Sequence, residues 1–252
     1  MRNHSIGIDI GGTGIKAALV DTRSGVLLSE RIRVETPEGA EPGDISLAVA
    51  ELIDNFKDLK DQSAVGICFP AVVQHGFTRS AANVSADWIG LDAEGLFADA
   101  LKRRVHILND ADAAGFAEIK FGAGRGSKGL TIMTTLGTGI GTALFYDSRL
   151  IPNSELGHIE IDGVDYETMA SFAAMEKDGL SFQEWATRLN RYYQELEKLL
   201  SPDLFIVGGG ISKKHELFLP LLDLKTKIIP AETRNSAGII GAASLAAEIF
   251  RG

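Results

Sequence analysis

The chain has a single cysteine, Cys68, in 252 residues. One thiol can neither close an intrachain disulfide nor supply a multi-cysteine zinc site. Cys68 lies in the apolar run Val65-Gly66-Ile67-Cys68-Phe69, so a reduced, buried thiol in the cytoplasm is expected. Long apolar runs are also missing. No segment approaches the roughly 18 apolar residues a membrane helix needs, and Met1-Arg2-Asn3-His4-Ser5 is too short for a signal peptide. Positive charge is in deficit: 25 Lys and Arg face 34 Asp and Glu, for a net charge of −9. Such a chain is a poor general binder of nucleic acid. The 45 % hydrophobic and 23 % charged content is the ordinary globular balance and excludes wholesale disorder.

Glycine is abundant, and its 28 copies are clustered. Gly12-Thr13-Gly14-Ile15 recurs half a chain later as Gly137-Thr138-Gly139-Ile140, and at the same spacing Ala18-Leu19 falls on Ala143-Leu144. Each copy sits between apolar runs, at 6–10 and 15–20 and again at 130–135 and 140–145, which reads as strand, tight turn, strand. A half-length offset points to duplication, with two similar lobes each opening on a hairpin. Between and after the hairpins the pattern predicts a third strand over 26–34, helices over 45–59, 91–101 and 112–121, and strands over 65–69 and 105–108. In the second half it predicts helices near 165–176 and 183–200, a strand over 204–207 and a closing helix over 236–250. The expected class is therefore α/β. The expected lobes are 1–108 and 109–235, with a C-terminal helix at about 236–252 packing back on the first, and a ligand site in the cleft between them.

The motifs suit phosphate chemistry. Asp9-Ile10-Gly11-Gly12-Thr13-Gly14-Ile15-Lys16 places glycine amides where no Cβ hinders an anion, with a threonine hydroxyl and a lysine as further donors. An aspartate at the end of the first strand is suited to a hydrated Mg²⁺ beside those phosphates. This is not a Walker A loop, because the spacing differs and a strand follows. Leu136-Gly137-Thr138-Gly139-Ile140-Gly141 forms a second such turn and Val207-Gly208-Gly209-Gly210-Ile211-Ser212 a third. Any one of them equally suits a plain turn; together they suggest a phosphate chain gripped from both lobes.

Asn109-Asp110 follows a strand and precedes a helix. It reads either as a helix cap or as a base at a strand end, with Asp110 taking a proton from a hydroxyl. Glu155-Leu156-Gly157-His158 reads either as a surface loop or as a carboxylate and an imidazole aimed at one small polyol. His158, Glu160 and Asp162 alternate as metal ligands on a strand would, with no further support.

At this point the chain resembles the ROK family of sugar kinases, within the actin-like, ribonuclease-H-like ATPase superfamily, and more closely its bacterial polyphosphate glucokinase group. The resemblance runs nearly end to end. It rests on Gly7 to Lys16, Ser80-Ala81-Ala82-Asn83-Val84 with Trp88, Leu108 to Gly115, Leu136 to Gly141, Ile151 to His158 and Pro202 to Ser212. It implies two lobes with the active site in their cleft. It implies transfer of a phosphoryl group from polyphosphate, ATP or both to the 6-hydroxyl of glucose. Asp110 would be the base; Asn83, Asn109, Glu155 and His158 would bind the other hydroxyls; Asp9 would hold Mg²⁺, directly or through water. Gly11, Gly12, Thr13, Gly14 and Lys16 would face the phosphates from one lobe, and Gly137, Thr138 and Gly139 from the other. Gly208, Gly209 and Gly210 would lie at the nucleotide end of the donor site.

Two departures matter. The family's cysteine-rich zinc loop is absent, as in the polyphosphate group, but Glu167-Thr168-Met169-Ala170-Ser171 resembles the stretch that follows it, so the resemblance implies Glu167 as the third sugar carboxylate, with Glu160 as the alternative. Ala71 also follows Pro70 where relatives commonly carry glycine, a change that would tighten the pocket or shift specificity.

A polyphosphate donor needs a cationic track. Lys16, Arg125, Lys128, Lys213, Lys214 and Arg234 are its candidates, each equally readable as a solvated charge. In the 183–200 helix, Trp185, Leu189, Tyr192, Leu196 and Leu199 form a narrow seam that is either monomer core or the homodimer contact the family habit suggests. The rival functions are a kinase for mannose or an N-acetylhexosamine, and a repressor of the same family. The repressor needs a helix-turn-helix ahead of the first lobe, where only five residues precede the first predicted strand.

Overall fold

The structure is a computed structural model that describes residues 3–56 and 64–251. Two compact units divide it: Met1–Ala117 with Ser236–Gly252, and Glu118–Asn235.

In unit 1, β1 (His4–Gly11), β2 (Gly14–Asp21), β3 (Ile32–Val34), β4 (Val65–Phe69) and β7 (Val105–Asn109) form one sheet in the order β3-β2-β1-β4-β7. The β1–β2 and β2–β3 pairs are antiparallel, and β4 and β7 run parallel to β1. A small ribbon, β5 (Val73–Gln74) with β6 (Phe77–Thr78), follows β4. Helices α1 (Pro42–Asp54), α2 (Ala93–Leu101), α3 (Asp110–Phe121, which continues into unit 2) and the C-terminal α7 (Ala237–Ile249) complete the frame. Strand β4 is buried at every position, as expected of a parallel strand covered on both faces. On one face Trp88 is fully buried, its Nε1 donating to the Ala40 carbonyl at 2.9 Å and its ring 4.5 Å from that of Phe69. On the other, α7 lies directly on the backbone. Gly7 and Gly66 are register partners, and a Cβ on them would stand 2.0 and 1.9 Å from the carbonyl oxygens of Ile239 and Ala242. Only glycine permits that approach.

Unit 2 repeats the plan. β8 (Leu130–Leu136), β9 (Ile140–Tyr146), β10 (Arg149–Ile151), β13 (Leu204–Gly208) and β14 (Lys227–Pro230) take the order β10-β9-β8-β13-β14 with the same pattern of directions. Pro230 is tolerated because β14 is an edge strand. A ribbon of β11 (Glu160–Ile161) and β12 (Val164–Asp165) precedes α4 (Glu167–Ala170), α5 (Phe172–Lys177) and α6 (Phe182–Leu200). Helix α6 opens on a reciprocal Ser181–Glu184 capping box. Its seam is core: Trp185, Leu189, Tyr192 and Leu196 are fully buried, whereas Leu199 is exposed.

The predicted repeat is therefore an architectural one, with one difference in detail. Gly11 pairs with Gly14 and closes a two-residue turn, whereas Leu136 pairs with Ile140 and closes a three-residue one. Identical Gly-Thr-Gly-Ile words thus fold with registers one residue apart. The third strand is shorter than predicted, Ile32–Val34. Leu27 keeps a lone bridge to Val20, but the Leu19 amide donates to Ser29 Oγ at 3.0 Å, so a side chain interrupts the ladder. Helix α1 starts at Pro42, a residue suited to the first helical turn, and stops at Asp54; positions 57–59 of the predicted helix lie outside the described residues. Among the described residues no helix is long and apolar enough to cross a membrane.

Candidate active site

In unit 1 the parallel strands β1, β4 and β7 end together, because Asp9 is the register partner of Cys68 and Cys68 of Leu108. Carboxyl ends of parallel strands are where open α/β sheets hold ligands. Asp9 lies two residue pairs from the Gly11–Gly14 pair that closes the turn, opposite Lys16, whose Nζ donates to its Oδ2 at 3.0 Å. The Cys68 thiol donates to Oδ1 at 3.5 Å. Burial, reinforced by the charges of Asp9 and Asp110, pushes that thiol well above its ordinary pKa, so it remains a protonated donor.

Asp110 opens α3, and its Oδ1 accepts the Ala111 amide at 2.7 Å. A carboxylate at a helix N-terminus is held by the helix dipole. Asn109 is buried and acts mainly as the cap: Oδ1 accepts the amides of Ala111 and Asp112 at 2.8 and 3.1 Å, and Nδ2 donates to the Ala71 carbonyl at 3.2 Å. The helix cap thus falls on Asn109, and the Asp110 carboxylate stands next to it at the strand end. Asn83 is exposed and crosses the glycine turn, since a Cβ on Gly12 would stand 3.2 Å from its Cβ and carbonyl oxygen. Ala71 is buried, and its backbone carbonyl is the atom that steadies Asn109.

In unit 2 a second cluster forms around Ile140. Its amide donates to Glu167 Oε2 at 2.7 Å, so the Glu167 carboxylate lies over Gly139, where a Cβ would stand 2.4 Å away. The Ile140 carbonyl packs on Gly157, where a Cβ would stand 2.0 Å from it. One backbone unit therefore ties the Gly137-Thr138-Gly139 turn to the Leu156–His158 turn. Tyr192 OH, from the α6 seam, donates to the Leu156 carbonyl at 3.2 Å and steadies the same loop.

The side chains of this cluster are electrostatically coupled. Burial, with the Glu167 charge adding to it against His158, raises the Glu155 pKa. His158 is raised chiefly by Asp165, whose Oδ2 lies 2.9 Å from Nδ1, and then by Glu167 and Glu155. Asp165 is the residue the sequence reading missed. The β11–β12 turn carries it back, with Asp162 and Gly163 both at positive φ, +55° and +79°, and Asp-Gly is the available signal for that turn. The Glu160 side chain forms no ion pair among the described residues, and Asp162 pairs with Arg191 at 3.4 Å. Among the described residues no group of three or more His, Cys, Asp or Glu is placed to hold a metal ion.

Gly208 ends β13, and Gly209 and Gly210 follow it. Gly209 has φ +84°, and a Cβ there would stand 2.2 Å from the Leu136 carbonyl, so the two glycine turns of unit 2 are in contact. Arg125, Lys128, Lys213 and Lys214 are all exposed; the Arg234 side chain lies outside what is described. A cation absent from the predicted set, Arg33, lies against the unit 1 turn, with Nη2 donating to the Thr13 carbonyl at 2.9 Å.

The ROK family profile matches residues 5–178. A polyphosphate glucokinase of Mycobacterium tuberculosis (strain CDC 1551 / Oshkosh) is 43 % identical over 243 residues, covering 96 % of this chain and 91 % of its own. The crystal structure of an inorganic polyphosphate/ATP-glucomannokinase from Arthrobacter sp. strain KM superposes with a TM-score of 0.91 at 51 % identity, covering 98 % of this chain and 99 % of that one. A ROK family glucokinase from Streptomyces griseus, solved with glucose and AMPPNP, gives a TM-score of 0.81 at 26 % identity, covering 97 % and 99 %.

Proposed function

The chain belongs to the ROK family, and from that premise we propose that it moves a phosphoryl group from inorganic polyphosphate, ATP or both to the 6-hydroxyl of glucose. What carries this reading is the nearly full-length likeness to a polyphosphate glucokinase and to a polyphosphate/ATP-glucomannokinase. Two clusters of suitable chemistry support it. Asp110 is the general base: it takes the hydroxyl proton as the phosphoryl group departs from the donor. Glu155, His158 and Glu167 bind the sugar's other hydroxyls, with Asn83 assisting. Glu167 is preferred to Glu160 because its charge couples to both Glu155 and His158. Asn109 contributes mostly by fixing the start of α3, one residue before the base.

The glycine turns at 11–14 and 137–139 present amides to the donor phosphates, where fixed dipoles stabilise the charge of the moving group without reorganising. Gly208 to Gly210 serve the nucleotide end when ATP is the donor.

The family resemblance implies Mg²⁺, and the donor set fits one mode of holding it. A lone carboxylate beside a phosphate-grade turn suits an ion that keeps most of its waters and completes its shell with substrate oxygens. Asp9 would hold it through water, since both its oxygens already accept hydrogen bonds. Bound there, the ion neutralises charge on the donor's phosphates.

The test is glucose 6-phosphate formation with ATP-free polyphosphate and with polyphosphate-free ATP, for the native protein and Asp110→Asn. The variant is expected to lose at least about a hundredfold in kcat while still binding glucose. Near-native turnover with intact sugar binding removes Asp110 from the base role. Mannose is the second acceptor to test, on the strength of the glucomannokinase likeness. We place the reaction in the cytoplasm, supported by the lone, fully buried Cys68. We expect a homodimer, and since the α6 seam is spent inside unit 2, its contact uses another surface; light scattering tests the oligomeric state.

A further inference from the structure

Arg33 stands on β3 as the register partner of Lys16, beside the first glycine turn. Two features show that the turn is built around its guanidinium. Nη2 donates to the Thr13 carbonyl at 2.9 Å. A Cβ on Gly14 would stand 2.7 Å from Nε, 2.9 Å from Nη2 and 3.0 Å from Cζ, so the group lies in the space that glycine leaves open. Its charge is uncompensated. Lys16 is paired with Asp9, but no carboxylate pairs with Arg33 among the described residues, and Glu35, two positions along the chain, forms no ion pair with it. The side chain remains exposed, and one bond to a carbonyl leaves most of its five N–H donors available.

We propose that Arg33 binds the phosphates of the donor, deepening the phosphotransferase reading above and resting on it. A guanidinium is suited to this role because its planar fork meets two phosphate oxygens at once and stays charged at every working pH. The Thr13 carbonyl preorganises it, so little side-chain freedom is lost when an anion arrives. Lys16 already shares its charge with Asp9 and so brings less net charge to an arriving anion. Arg33 therefore supplies the net positive charge of this turn, while the glycine amides supply its directional donors.

The experiment compares the native protein with Arg33→Met, which keeps the aliphatic stem over Gly14, and with Arg33→Lys. Initial rates are measured with glucose and Mg²⁺ against tripolyphosphate, long-chain polyphosphate and ATP, at two or more salt concentrations. Donor KM is expected to rise about tenfold in Arg33→Met, the loss of one charge-assisted hydrogen bond. The glucose KM stays within about twofold. Arg33→Lys recovers part of the loss, and the rise of donor KM with salt is shallower in Arg33→Met than in the native protein. A loss confined to long chains assigns Arg33 to phosphates that only the polymer carries; a loss with every donor assigns it to phosphates they share. Either supports the proposal.

Thermal stabilisation by tripolyphosphate in the absence of sugar gives a second reading, expected to shrink in Arg33→Met. Unchanged donor KM and unchanged stabilisation overturn the proposal. So does an equal fall in kcat with all donors at constant donor KM, which marks a purely structural role at the turn. A native protein that makes no glucose 6-phosphate with any donor refutes the parent reading instead. Stabilisation by tripolyphosphate still decides Arg33 in that case.

Discussion

Glu118 offers the sharpest test of the physical account of unit 2. It is fully buried, and four donors converge on its carboxylate. Oε1 accepts the amides of Glu232 and Thr233 at 2.9 and 2.6 Å and the Thr233 hydroxyl at 2.5 Å, and Oε2 accepts the Ala123 amide at 2.8 Å. The segment that ends α3 is thereby fastened to the segment that follows β14. Replacement by alanine strands three part-buried amides, each worth about 1–3 kcal/mol when left unmade; the threonine hydroxyl can turn elsewhere. Removal of the buried charge's own desolvation penalty offsets part of that sum, which leaves about 3–5 kcal/mol. Glutamine keeps the shape. With its oxygen toward 232 and 233, its NH₂ faces the Ala123 amide, one donor–donor conflict costing about 1–2 kcal/mol. The expected order of stability is native, then Glu118→Gln, then Glu118→Ala.

The assay is urea unfolding followed by tryptophan fluorescence. The chain has two tryptophans, both fully buried, Trp88 in unit 1 and Trp185 in unit 2, so Trp88→Phe leaves a reporter of unit 2 alone. Alanine is expected to lower the midpoint seen by Trp185 by well over twice the glutamine effect. Equal stability of native and Glu118→Gln, or a glutamine loss larger than the alanine loss, refutes the reasoning.

Two further outcomes follow from the geometry. Gly66→Ala drives a methyl into the Ala242 carbonyl; it is expected to destabilise unit 1 by about 1–3 kcal/mol or more, read from the Trp88 transition. Asp165→Asn is expected to return the His158 titration toward the ordinary imidazole value, by NMR. Because the pair raises the folded pKa of His158, its stabilisation is complete below the unfolded imidazole pKa and is lost as pH rises through the raised one. The difference in melting temperature between native protein and variant therefore shrinks from pH 5 to pH 9.

Features with a local chemical signal were readable in advance. Glycine turns between apolar runs marked both hairpins, and the Asn109-Asp110 pair marked the strand end where a capping amide and a carboxylate sit side by side. Features set by side chains meeting across the fold were not. Nothing near Ser29 announces that its hydroxyl will take a ladder bond from Leu19, and Arg33 on a three-residue edge strand looks like any solvated charge. Asp165 was within reach, because Asp162-Gly163 demanded a chain reversal that brings it to His158. The differing lengths of the two Gly-Thr-Gly turns were beyond reach. A guanidinium lies against Gly14 and a carboxylate over Gly139, and each partner comes from a distant segment.

The position of α7 on the Gly7–Gly66 face bears on the order in which the protein is made. Unit 2 is continuous in sequence, so every strand and helix it needs is synthesised before α7. Unit 1 has by then its whole sheet but only one covered face, and β1 and β4 expose the glycine track that α7 will occupy. The half that begins first is completed last. Until α7 arrives, that bare face is the surface a chaperone or a neighbouring chain would meet.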